Sequence, residues 1–149
     1  MSVTASGLYI PTWRDILDTT QLAVDLDLET HKGALYLDAL TPNFSTDAAY
    51  SATNEASGTG YTGGGEAVTG TTWTEAITGS LVLDADDAAW TSSTIADAMA
   101  FVLYADALGG NNLIFLSDFV TAVSTTSGTL TVQWTAASSG GLFNFDLTP

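Results

Sequence analysis

Hydrophobic and polar positions alternate most regularly in the last third of the chain. Over residues 129–135, Leu130, Val132 and Trp134 fall on one side and Thr129, Thr131, Gln133 and Thr135 on the other. Residues 142–147 repeat the rule, with Phe143, Phe145 and Leu147 set against Asn144 and Asp146. Successive side chains of a strand point to opposite faces, so each run predicts a strand with one wet face. Ser138-Ser139-Gly140-Gly141 between them predicts a turn. Residues 98–105 and 113–120 are instead apolar on both faces and flank Gly109-Gly110-Asn111-Asn112. Gly and Asn tolerate positive φ, which predicts a central hairpin here. Residues 93–99 place Ile95 and Met99 on one helical face. That stretch runs straight into Ala100-Phe101-Val102, so a strand fits better.

Upstream the pattern is looser. Residues 34–40 form a short apolar run bounded by Gly33 and Pro42. Residues 75–83 and Trp90 are further strand material, interrupted by Asp84-Ala85-Asp86-Asp87. Residues 22–28 alternate weakly, with Leu22, Val24, Leu26 and Leu28 on one side, which suits an extended segment. One helix is predicted near the start, where Pro11 and Thr12 precede Trp13-Arg14-Asp15-Ile16-Leu17 and Thr12 with Asp15 has N-cap spacing. It is barely two turns long and needs docking to persist. Strands about every ten residues with Gly/Ser turns predict a mainly β fold. The expected architecture is one antiparallel β-sandwich or barrel-like domain over residues 1–149. It carries one short N-terminal helix, an extended N-terminal arm (residues 1–11) and a long polar, Gly-rich loop region (residues 41–65).

Composition narrows the function classes. Hydrophobic residues make up 46% of the 149, enough for a packed core and against wholesale disorder. The apolar runs are too short to cross a bilayer, and residues 1–10 lack a basic flank and a long apolar stretch, so synthesis in the cytoplasm is expected. Seventeen carboxylates face only Arg14 and Lys32, a formal charge of −15. Such a field repels phosphates, which argues against nucleic acid and anionic membranes and favours docking onto a basic surface. With no cysteine there are no disulfides, thiolate metal sites or thiol nucleophile.

The chemical motifs are weak when read in context. Gly58-Thr59-Gly60-Tyr61-Thr62-Gly63 matches the dinucleotide spacing, but polar residues precede it and Gly64-Gly65 disfavours a following helix. A flexible or extended surface loop is the better reading. Asp84, Asp86 and Asp87 are the sole metal candidates. A calcium loop counted from Asp84 needs Gly and Glu where the chain has Ala89 and Ile95, so a solvated turn is expected. His31 is the only histidine, which removes most triads, and its setting between Thr30 and Lys32 predicts an exposed turn residue. The four tryptophans and five tyrosines are expected in core and interface rather than in a carbohydrate platform. No cofactor and no catalytic residue is assigned, and the chain is expected not to be an enzyme.

One longer stretch, Asn54-Glu55-Ala56-Ser57-Gly58-Thr59-Gly60-Tyr61-Thr62-Gly63-Gly64, resembles a signature of small tailed-phage virion proteins of the head decoration or minor capsid type. The likeness continues through Gly7-Leu8-Tyr9, Asp25-Leu26-Asp27, Lys32-Gly33-Ala34-Leu35, Leu83-Asp84-Ala85-Asp86-Asp87 with Trp90, Phe101-Val102-Leu103-Tyr104, Asp118-Phe119 and Leu130-Thr131-Val132-Gln133-Trp134. It departs where the family often has Arg, here Asp97 or Ala98, and where Val120 replaces a Gly. The resemblance implies a capsid decoration subunit on the virion exterior. Such a subunit binds the major capsid protein, assembles with itself, usually as a trimer, and stabilises the head. Residues 2–11 are then the arm that would add to a neighbouring sheet edge, and residues 51–65 the contact loop. Leu8, Tyr9, Ile10, Tyr61 and Trp73 are the expected interaction residues. A tail or baseplate subunit, or a host-glycan module using Trp73 or Tyr61, are the competing expectations.

Overall fold

The computed structural model describes residues 3–19, 21–27 and 30–148. The chain enters as a short strand β1 (Gly7–Leu8) and helix α1 (Ile10–Leu17). Strands β2 (His31–Leu37), β3 (Gly58–Thr59), β4 (Glu66–Val68), β5 (Thr72–Ile77) and β6 (Ser80–Asp84) follow. The remainder is β7 (Ala88–Ile95), β8 (Ala98–Ala105), β9 (Asn112–Val123), β10 (Gly128–Val132) and β11 (Phe143–Asp146). The strands form a five-stranded sheet, β1-β9-β8-β2-β4, and two three-stranded sheets, β10-β7-β3 and β11-β6-β5. Every pairing is antiparallel, and the sheets pack as a sandwich.

The two-sided apolar runs occupy the middle of the large sheet, where both faces are covered. Leu35, Phe101 and Leu103 pack on one face against Leu83, Trp90, Ile95, Leu130 and Val132 of the smaller sheets. Ala34, Tyr36, Ala100, Val102 and Tyr104 point to the other face, under Val3, Tyr9, Leu40, Phe44 and Tyr50. The alternation along β2 and β8 thus feeds two cores. Each large aliphatic or aromatic side chain buried there contributes about 1.5–3 kcal/mol. Gly33 is required for this packing, because a Cβ would lie 2.0 Å from the Phe101 ring.

The central hairpin stands as expected, with Phe101 opposite Ser117 and Leu103 opposite Phe115. Residues 93–99 form the end of β7, a turn and the start of β8, with no helix. Several boundaries differ from expectation for identifiable reasons. The helix begins at Ile10, with Pro11 in its first turn, where a missing N–H costs nothing. Thr12 is therefore inside the helix and buried, and it caps nothing. Residues 75–83 are not one strand. Gly79, at φ +78°, reverses the chain, and its N–H donates to Glu75 Oε1 at 2.9 Å, making β5 and β6 a hairpin. The strand predicted over 129–135 stops at Val132, beyond which Asp87 Oδ1 rather than a neighbouring strand accepts the Trp134 N–H at 3.2 Å. Residues 21–25 are irregular, with a turn at Leu26 and Asp27, and Leu28 lies outside the described residues.

Of residues 1–11, expected as an extended arm, Ile10 and Pro11 belong to α1, and the described residues before them dock on their own chain. Gly7 and Leu8 pair with Leu116 and Phe115 of β9, and the Asp118 N–H donates to Ser6 Oγ at 2.8 Å. Val3 and Tyr9 are buried. Gly7 and Leu8 thus add to an edge of the large sheet of their own chain, and Val3 and Tyr9 contribute to the second core. Met1 and Ser2 lie outside the described residues.

Candidate interaction surface

The stretch from Asn54 to Gly64 folds around one carboxylate. Glu55 Oε1 accepts the Tyr61 hydroxyl and the Gly64 N–H, each at 2.7 Å, and Oε2 accepts the Tyr50 hydroxyl at 2.5 Å. Tyr61 Oη in turn accepts the Leu35 N–H at 3.0 Å, and the Tyr104 hydroxyl donates to the Gly64 carbonyl at 2.7 Å. These bonds tie the glycine-rich loop to β2 and β8. The loop is clamped against its own sheet. Gly65, at φ +75°, lets the chain touch β2, since a Cβ there would lie 1.9 Å from the Gly33 carbonyl oxygen. The Gly64 N–H that a phosphate would need is already committed to a carboxylate. Burial and then the Glu55 hydrogen bond raise the hydroxyl pKa of Tyr61 and of Tyr50, and burial with the nearby Asp106 and Glu55 charges pushes Tyr104 up to about 12. Glu55 was part of the motif in the sequence, but nothing in its spacing marked it as the hub.

The acidic run is spent in a similar way. Asp84 Oδ2 accepts the Ala137 N–H at 3.0 Å, and Asp86 Oδ2 accepts the Thr69 hydroxyl at 3.0 Å. Asp87 accepts from Trp134 N and Gln133 Nε2. The three carboxylates hold three separate pieces of chain and do not converge. Among the described residues, no group of three or more His, Asp or Glu side chains is placed to hold a metal ion.

His31 departs from its predicted exposure. It opens β2 opposite Val68, is fully buried, and its Nε2 lies 3.0 Å from the Asp25 carbonyl oxygen. The polar neighbours on either side hid a strand position that faces inward.

The expected interaction residues are dispersed. Tyr9 is buried against Phe44, with ring centroids 5.3 Å apart, and Tyr61 is held in the Glu55 clamp. Leu8 is partly buried in β1, and Ile10 is 52% exposed on α1. Trp73 is half-buried and joins a cluster absent from the sequence reading. Trp13 and Trp73 both stack edge-on against Phe145, at centroid distances of 4.9 and 5.5 Å. Trp90 lies in the core and Trp134 packs against Phe101, so the four tryptophans form no common platform.

Leu17 projects from α1 at 82% exposure, beside this aromatic cluster. Between α1, residues 23–27 and the β11-β6-β5 sheet lies a groove of about 680 Å³, with Asp25 and Asp27 on its wall. Val120 and Leu147 are exposed elsewhere. The helical spacing of Trp13, Ile16 and Leu17 was the available signal for this surface, but it does not say which side chains the fold covers. No protein-family model, no curated protein and no solved structure matches the chain.

Proposed function

We propose that this chain is a structural subunit of a tailed-phage particle, in the first place a capsid decoration protein on the head exterior. The observation that carries this reading is the division of labour among its side chains. The groups with chemical potential, Glu55, His31, Asp84, Asp86, Asp87 and the tyrosines, are spent on holding loops and core together. The outward surface offers carboxylates and protruding apolar side chains such as Leu17 and Val120. That is a surface for binding rather than for turnover.

The family resemblance supports the same reading, since its residues include the Glu55 clamp, the two-faced strand β8 and the acidic turn. The partners in this proposal are the major capsid protein and further copies of this chain, assembled as a trimer on its lattice. Many weak contacts on one shell add by avidity. The charge of −15 suits a basic docking surface and would limit aggregation of particles. Immunogold labelling of intact particles with antibody to this chain tests the assignment. Gold over the head is the expected result. Gold confined to the tail would replace decoration by a tail subunit, and particles without label would remove the virion reading.

A further inference from the structure

We propose that the groove between α1 and the β11-β6-β5 sheet binds a segment of a different protein that brings an apolar anchor next to a lysine or arginine. The inference goes beyond the particle reading and holds whether that partner sits on a head, a tail or elsewhere. Its floor and walls are Trp13, Leu17, Leu26, Trp73 and Phe145, and its volume of about 680 Å³ lies within the ~300–1,000 Å³ typical of ligand clefts. Tryptophan is enriched among the few residues that dominate the energy of protein interfaces.

Charge selects the occupant. Asp25 and Asp27 stand on the same wall, and the Asp27 N–H donates to Asp25 Oδ1 at 3.3 Å. The Asp27 carboxyl is raised above its ordinary range, first by a side-chain hydrogen bond with Asp25, then by desolvation and by the Asp25 charge. Two carboxylates held this close gain from a cation placed beside them. A second copy of this chain cannot bring one readily. Its only basic side chains, Arg14 and Lys32, already face Asp15 and Asp106 at 3.4 Å each, in a chain of net charge −15. Anionic lipid and nucleic acid are disfavoured by the same field.

The test titrates the full chain with a short capped peptide of Leu, Phe and Lys, and with its counterpart in which every Lys is Glu. The readout is the set of four tryptophan indole N–H resonances. Saturable shifts at Trp13 and Trp73, without shifts at Trp90 and Trp134, are expected for the Lys peptide. The Glu peptide should bind at least about tenfold more weakly, a difference of ~1.4 kcal/mol. Asp25→Asn with Asp27→Asn should weaken the Lys peptide by a similar factor. Asp38→Asn with Glu66→Gln, which removes the same charge elsewhere, should change it less than about twofold. Equal effects of the two double variants would reduce the binding to the general field of the protein and overturn the proposal. So would equal binding of both peptides, or no saturable shift at Trp13 and Trp73. Self-association in sedimentation that Leu17→Asp abolishes would give the groove to a second copy instead.

Discussion

Val120 shows how one side chain can run against local preference. It sits at φ +64°, a left-handed conformation that costs an L-residue about 1–2 kcal/mol, and it is 79% exposed. The cause is a bulge. β8 advances from Ala98 to Ala100 while β9 runs back from Val123 to Asp118, and Asp118 Oδ1 accepts the Val120 N–H at 2.8 Å. Val120→Gly should therefore raise unfolding stability in urea by about 0.5–1 kcal/mol, the relieved strain exceeding the added chain entropy. Unchanged or lower stability would mean that the valine side chain has packing value despite its exposure. Glu55 is the opposite case, a polar residue on which several elements depend. Glu55→Ala leaves two tyrosine hydroxyls and the Gly64 N–H without their acceptor. A loss of about 3 kcal/mol in urea unfolding is expected, since the bonds are charge-assisted. A loss below about 1 kcal/mol would show that the clamp is closed by packing alone.

Among the elements, legibility followed burial. Strands β8 and β9 were plain because both of their faces are apolar, and β11 because one face is. The hairpin of β5 and β6 was hidden because Thr78-Gly79 interrupts an otherwise continuous strand-like run, and only the Gly79 conformation reveals the reversal. The N-terminal segment through Tyr9 carries no sequence signal for where it docks. Because it pairs with β9 of its own chain and buries Val3, deleting residues 1–8 should cost about 2–4 kcal/mol of stability. Urea denaturation of the truncated chain measures this. An arm that worked only on a neighbour would leave the isolated subunit as stable as before.

For the whole molecule, the five tyrosines act together. All five have hydroxyl pKa values raised from 10.0, burial being the largest cause in each. Below pH 10 both folded and unfolded chains keep these protons. Above it the unfolded chain loses them first, so it binds fewer protons and stability falls as pH rises. The decline should begin near pH 10 and continue through about 12, where Tyr104 ionises in the folded state. Thermal unfolding followed between pH 8 and 12, with tyrosinate absorbance read in parallel, measures it; tyrosinate appearing well before unfolding would contradict the buried clamp.

The sequence by itself determined the fold class, the central hairpin and the strongly negative field, because strand periodicity and net charge are local or additive properties. Only the tertiary structure decided that Glu55 gathers Tyr50, Tyr61 and Gly64, that His31 faces inward, and that the arm docks in cis. It also decided that Trp13 and Trp73, sixty positions apart, line one groove. Each of these depends on which strand lies beside which and in what register, and a periodic pattern carries no record of that choice.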